Sequence, residues 1–454
     1  MTSTTYDVRI WKITQRKNTK GKVTSYAVRW AVAGKPFYES FKNFALADSF
    51  RSDLMSAARK GEAFVKASGR PVSMVRTNED MNWLDFAKEY TAMKWPNASA
   101  SHRRGIVQSL TSITTALVSQ RNAPPQRALH DALSWELNPT RTDPPTEPKM
   151  AEATRWLAKS TYHVSALSDP EVVRQITDNI GTKLDGGRVA PDTFRLRRVI
   201  LDNALDYAVE RNLLDANPLD SLKLKTPKRS NAIDKRSVVN PIQARTLLLA
   251  VREIQRAGPH LVAFFGLMYH AGLRPEEAAG LKKANLSLPE SGGWGELHLE
   301  RAMPEVGAEW TDAQARGEGR GLKHRDDGTG RTVPCSPELT DLLHEHLNRY
   351  GTARDGRLFR GERREGRISS TVYGRVWAHA REKAFVSTVV DSPLAKRPYD
   401  LRHACVSMWL NAGVEPPRVA EWAGHSVRVL LEVYAKCLDS GEQLARQRVE
   451  QALR

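Results

Sequence analysis

Acidic residues are scarce beside basic ones. Lys and Arg number 69 against 52 Asp and Glu, which gives a formal net charge of +17 over 454 residues and a pI near 9.8. A balance of that sign points to a polyanionic partner, nucleic acid first. Cysteine is scarce too. Cys335, Cys405 and Cys437 are odd in number, widely spaced and without a Cys-x-x-Cys, so they read as reduced residues of a cytoplasmic protein, with neither a disulfide framework nor a zinc site. Long apolar runs are missing: the longest, Leu261 to Tyr269, falls far short of the ~20 residues of a membrane span. No basic amphipathic helix leads into an insertion segment, so no membrane partner is expected. The start, Met-Thr-Ser-Thr-Thr-Tyr-Asp, lacks an apolar signal region, and secretion is not expected. No Gly-x-x-x-x-Gly-Lys-Ser/Thr is present, which argues against a nucleotide-cradling loop.

At this length the chain is expected to divide into two or three domains. The first segment alternates like strands: Tyr6 to Ile13, Tyr26 to Val32 and Phe37 to Phe41, followed by a helix with Leu46, Phe50 and Leu54 at spacing four. A basic turn, Gln15-Arg-Lys-Asn-Thr-Lys-Gly-Lys22, joins the first two runs; Arg16, Lys17, Lys20 and Lys22 suit phosphate contact. Gly61 to Asn78 reads as a linker. The period then turns helical. Met81, Leu84, Ala87 and Met93 mark one helix; Ile106, Leu110, Ile113 and Leu117 mark a second, which opens on His102-Arg103-Arg104. A Pro-rich break at Asn138 to Pro148 interrupts the helices, and the last of them, Thr193 to Asn212, carries Arg195, Arg197 and Arg198. At positions i, i+2 and i+3 these arginines do not share one stripe. From Leu222 to Arg236 the chain is basic and extended, with Lys228 and Arg229 suited to tracking a phosphate backbone. Helices are expected at Pro241 to Ala257, Pro259 to His270, Glu338 to Tyr350, Thr371 to Val386, Leu401 to Ala412 and Pro416 to Trp422. Strands are expected at Glu296 to Glu300 and Arg331 to Pro334, and a terminal amphipathic helix at Gly441 to Arg454.

The chemistry concentrates near the end, in Arg397-Pro-Tyr-Asp-Leu-Arg402-His403, then Ala423-Gly-His425-Ser, then Tyr434 nine residues past His425. Upstream lie Ala271-Gly-Leu-Arg274-Pro-Glu-Glu277 and Leu322-Lys323 before Arg331-Thr-Val-Pro334. In this order the segments resemble the active-site end of the tyrosine recombinase, or phage integrase, family. Its pattern is His-x-x-Arg-His, a Gly-His pair and a Tyr. One position departs: Tyr399 stands where the pattern has its first His.

The resemblance implies the roles, and physical chemistry says what each residue type contributes. A phosphodiester under attack gains negative charge on its non-bridging oxygens. Two permanently charged guanidiniums, Arg274 and Arg402, can hold those oxygens without moving a proton. Glu277, three residues past Arg274, is placed to fix its fork by a salt bridge. Lys323 is the expected general acid for the departing 5′ oxygen, its pKa lowered from ~10.4 by neighbouring arginines; Arg320, His324 and Arg325 compete for the role. His425 is expected to donate to the phosphate, and His403 to support from behind. Tyr399, a phenol of pKa ~10, is a poor base at pH 7 but a good donor. Removal of the proton from Tyr434 is therefore left to solvent or the phosphate itself. Tyr434 is the expected nucleophile, leaving a 3′-phosphotyrosyl bond and a free 5′ hydroxyl. That bond retains its energy, so no cofactor and no metal are required.

The fold implied is mainly α with small β parts (α+β). It comprises an N-terminal three-stranded sheet plus helix (1–65, an arm-type DNA-binding module), a helical core-binding bundle (78–222) and a basic interdomain linker (223–236). A mostly helical catalytic domain with a small β-sheet and a C-terminal tail helix (237–454) completes it. Arg103, Arg104 and Arg195 are the expected DNA contacts of the bundle. The function implied is site-specific recombination for a mobile element, with double-stranded DNA attachment sites as partner. A tetramer on two sites, its C-terminal tails docked in trans, is expected, with an excisionase or host DNA-bending protein as further partners and a nucleoid-associated location in the cytoplasm. Three alternatives stand beside it. One is a type IB topoisomerase-like enzyme with the same residue set; another is a DNA-binding protein of this fold weakened through Tyr399. The third, a metal-dependent transposase, needs a carboxylate cluster for which the sequence has no organised pattern.

Overall fold

The computed structural model describes residues 3–17, 23–72, 74, 81–222, 232–302, 304–314, 319–321, 330–361, 366–434, 437, 446–447, 449–451 and 453. It is mainly α with small sheets. Two compact units emerge, one of residues 1–93, 109–189 and 194–224, the other of 94–108, 190–193 and 225–454.

The first unit opens with β1 (Thr4–Thr5), β2 (Val8–Ile10), β3 (Thr14–Lys17), β4 (Val23–Val32), β5 (Lys35–Phe41), α1 (Phe44–Arg59) and β6 (Phe64–Val65). The expected first strand, Tyr6 to Ile13, is shorter, Val8–Ile10, and β3 occupies the start of the expected basic turn. Ile10 pairs with Trp30 and Thr14 with Ala27 on the same strand β4, so the chain advances one residue more than its partner between them and the ladder breaks there. β5 pairs along the other edge of β4. Val28, Trp30 and Val32 face α1 and bury Leu54 and Ala57. Leu46, expected on that buried face, is 54% exposed at the first turn of α1, while Phe50 and Leu54 pack inward. The segment read as a linker is partly structural: Phe64 is fully buried, β6 pairs with β1, and the Trp30 indole donates to the Gly69 carbonyl. Helices α2 (Trp83–Lys94), α3 (Ala100–Thr114), α4 (Gln126–Glu136), α5 (Pro148–Ser160), α6 (Pro170–Ile180) and α7 (Pro191–Glu210) follow along the chain, residues 94–108 and 190–193 counting with the second unit. Ile106, Leu110, Ile113 and Leu117 are all buried, as their spacing requires. Met93 is exposed, and Trp83, Phe86 and Tyr90 supply the inner face of α2 instead.

The second unit contains α8 (Pro241–Arg252), α9 (Gly258–His270), α10 (Pro275–Gly280), β7 (Leu286–Ser287), β8 (Gly295–Leu299), β9 (Arg301–Ala302), β10 (Arg320–Gly321) and β11 (Arg331–Cys335). Helices α11 (Pro337–Tyr350), α12 (Ser370–Ala384), α13 (Ser387–Val390), α14 (Asp400–Asn411), α15 (Pro416–Ala423) and α16 (Val427–Tyr434) complete it. α9 is apolar all round and sits at the centre: Leu261, Phe264, Phe265 and Met268 are fully buried, with Phe265 against Trp377 of α12. β11, β8 and β7 form a small antiparallel sheet. Cys335, Cys405 and Cys437 are buried. Among the described residues no helix is long and apolar enough to cross a membrane, and no cluster of His, Cys, Asp and Glu could hold a metal.

Candidate active site

Arg274 is placed by the end of the central helix. Gly272, at φ +59°, turns the chain out of α9, and Pro275 at the first turn of α10 fixes the next direction. Glu277, 2% exposed, reaches back. Its carboxylate accepts from the Arg274 backbone N–H at 2.8 Å and from Arg274 Nη1 at 2.8 Å, the salt bridge expected from the spacing. A second arginine, not singled out by the sequence reading, grips the same carboxylate. Arg331, at the start of β11, donates Nη1 to Oε1 at 2.8 Å and Nη2 to Oε2 at 2.7 Å. The two guanidiniums hold the Glu277 carboxyl far below the usual range against the cost of its burial.

Arg402 projects from α14 and is 0% exposed. The helix is started by Asp400, which is buried and accepts from the Arg397 N–H at 2.9 Å. Arg402 Nη1 donates to the Gly272 carbonyl and Nη2 to the Ala423 carbonyl and, at 2.9 Å, to His425 Nε2.

The end of α15 ties these parts together. The carbonyls of Trp422, Ala423 and Gly424 accept from Arg331 Nε at 3.0 Å, from Arg402 Nη2 and from Arg274 Nη2 at 2.9 Å, one arginine each. The last carbonyls of a helix lack intrahelical partners and carry partial negative charge, which suits guanidiniums. Gly424 takes φ +64°, and a Cβ there would lie 3.0 Å from Arg331 Nη1. Glycine meets both demands without strain, which accounts for the Gly of the Gly-His pair.

His425 follows directly. With Nε2 accepting from Arg402, its proton sits on Nδ1, which is buried without a hydrogen-bond partner among the described residues, and the same holds for Arg402 Nε. Burial, then Arg402, Arg274 and Arg331, push His425 down to about 3. Tyr434 ends α16, 0% exposed, with its ring centroid 6.2 Å from that of His425. Its phenol is raised by burial. The hydroxyl meets His403 Nδ1 at 3.0 Å, so His403, expected only to support, touches the expected nucleophile itself. Tyr399 lies edge-on to His403, ring centroids 5.0 Å apart, and Arg402 Cζ is 6.0 Å from the Tyr399 centroid.

The remaining expected residues divide. Lys323, Lys20, Lys22, Lys228 and Arg229 lie outside the described residues, as does most of the terminal helix. Lys17 closes β3; Arg16 is exposed beside the Tyr38 ring, and Arg104 and Arg195 are exposed. Arg103 is a correction. It is 3% exposed, stacks on Trp95, donates to the carbonyls of Trp95 and Trp310, and forms a two-pronged pair with Asp312. Its charge is consumed by protein rather than offered to DNA. Arg331 carried no signal of its own in the sequence: it stood in the quoted Arg-Thr-Val-Pro segment, but only the fold brings it to Glu277.

Residues 238–440 match the phage integrase family model. A structure of the Tn1549 transposon integrase in complex with transposon right end DNA is similar at 14% identity and a TM-score of 0.50, covering 82% of this chain and 100% of that one. A second structure of that integrase, with a circular intermediate DNA, gives the same identity and TM-score with 82% and 99% covered. A lambda integrase dimer bound to a core site reaches 12% identity and a TM-score of 0.45, covering 76% of this chain and 96% of that one. At such identities the likeness shows the fold alone. No curated protein matches the sequence. Residues 238–440 are thus what this chain has in common with the phage integrase family, the tyrosine recombinases.

Proposed function

We propose that the protein is a site-specific DNA recombinase, the integrase of a mobile element, which breaks and rejoins double-stranded attachment sites through a 3′-phosphotyrosyl bond at Tyr434. One observation carries the proposal. Arg274 converges with Arg402, His425 and Tyr434, and two buried groups among them, Arg402 Nε and His425 Nδ1, have no hydrogen-bond partner among the described residues. Leaving a buried donor unmade costs about 1–3 kcal/mol, and a non-bridging phosphate oxygen supplies the missing acceptor.

In this reading Arg274 and Arg402 hold the phosphate, and His425 donates to it. Lys323 protonates the leaving 5′ oxygen, and Tyr399 is a donor beside it. Arg16, Lys17, Lys20, Lys22, Arg104, Arg195, Lys228 and Arg229 supply backbone contacts. Residues 1–65 take arm-type sites, 78–222 the core site, and the 441–454 tail docks on the next protomer of a tetramer. The protein works in the cytoplasm on the nucleoid, with an excisionase or a DNA-bending protein setting direction.

Expression in cells with the mobile element, followed by sequencing of the recombinant junctions, tests the proposal. Two new junctions that share one short core sequence support it. Relaxation of supercoiled circles with no exchanged junctions replaces it with a topoisomerase.

A further inference from the structure

We propose that His403 is the general base that takes the proton from the Tyr434 hydroxyl. The inference rests on reading Tyr434 as the nucleophile.

The geometry carries it. Nδ1 of His403 is 3.0 Å from Tyr434 Oη, inside the reach a base needs for the proton it removes. An acceptor at Nδ1 places the ring's own proton on Nε2. The surrounding ionisable groups are Tyr434 of α16, Tyr399 and Arg397 before α14, Arg402 on α14, and His425 beyond α15. None is a better acceptor. The arginines carry no lone pair to give, and a phenol of pKa ~10 is protonated at neutral pH. His425 already accepts from Arg402 at Nε2. Among the described residues His403 is the basic side chain hydrogen-bonded to that hydroxyl.

Its electrostatics supports the role. Burial, then Arg402 and Arg397, push His403 down to about 4, so the imidazole is neutral with its lone pair open at pH 7. A DNA phosphate offsets the charge of Arg402, which lifts that depression as the substrate arrives. The step balances. The Tyr434 O–H bond breaks and its proton passes to His403 Nδ1, while the phenolate oxygen forms the bond to phosphorus. The bond from phosphorus to the 5′ oxygen breaks, and that oxygen leaves with a proton from the general acid. On rejoining, His403 returns its proton to Tyr434.

The test is single-turnover cleavage by the full chain on a nicked suicide substrate that carries its site, from pH 5 to 9. Wild type is expected to rise through an imidazole titration and then level. His403→Asn puts an amide oxygen where Nδ1 stood and keeps the hydrogen bond, but the amide takes no proton. Its rate is expected to fall by about 10²–10⁴, to lose the plateau and to climb with pH, with site binding unchanged. An Asn variant as fast as wild type with the same profile overturns the proposal and leaves His403 a positioning residue. Should that variant fail to fold, the wild-type profile decides: a rate that climbs tenfold per pH unit through to pH 9 excludes a base of this kind. Tyr434→Phe runs in parallel. If it still forms the adduct, the nucleophile reading fails; if it is dead while His403→Asn is normal, only the base is lost.

Discussion

Arg331 holds Glu277 through both terminal nitrogens, at 2.8 and 2.7 Å, and both side chains are 1% exposed. Removing one partner of a buried pair strands the other charge, at about 3–5 kcal/mol. Arg331→Met leaves Glu277 with Arg274 alone, and is expected to lower the unfolding free energy by less than that full amount. Adding Glu277→Gln is expected to restore part of the loss, since the two changes share one interaction. Denaturant melts of both single variants and the double check it; strict additivity would contradict the coupling.

Gly424 sets the position of His425 through its own backbone. Gly424→Ala forces a Cβ to within 3.0 Å of Arg331 Nη1 at φ +64°, and the left-handed conformation alone costs an L residue about 1–2 kcal/mol. Cleavage is expected to fall more than site binding, because the displaced atoms are those that hold Arg274. Equal loss of both, read by gel shift and cleavage assay, would speak against it.

Arg274→Lys and Arg402→Lys keep the charge but lose the planar fork, and with it the carbonyls of Gly424 and Ala423. Cleavage is expected to drop by about 10²-fold or more, as for loss of an oxyanion donor, with site affinity little changed. A parallel loss in affinity would make both arginines DNA anchors.

His403 and His425 are depressed to about 4 and about 3, chiefly by burial. An unfolded histidine takes up its proton near pH ~6.5, and the folded ones refuse it until well below. The unfolded chain thus binds more protons between about pH 6.5 and 4, so stability is expected to fall as pH drops through that window. Melting temperatures of wild type and His403→Asn from pH 7 to 5 check it; the variant should lose less.

What could be read from sequence was what spacing alone imposes. Arg402, His425 and Tyr434 stand at fixed short intervals because adjacent helices α14, α15 and α16 must deliver them to one point, and α9 announced its burial by being apolar all round. Pairings made by the fold left no such trace. Arg331 meets Glu277 across 54 positions, and Arg103 meets Asp312 across 209. A lone arginine at a strand start or beside Arg104 looks like surface charge until its distant partner is known. The same holds for His403, whose hydrogen bond to Tyr434 spans 31 positions, and for Leu46, whose helical phase was right but whose turn lies outside the cover of the sheet.

The central claim is that Tyr434 becomes covalently joined to DNA. Wild type and Tyr434→Phe, each incubated with a nicked suicide substrate built from the sequenced junctions, are run on a denaturing gel. The account predicts a protein–DNA band that survives denaturation for wild type only, with site binding equal in the two. A covalent band of unchanged strength from Tyr434→Phe would contradict it.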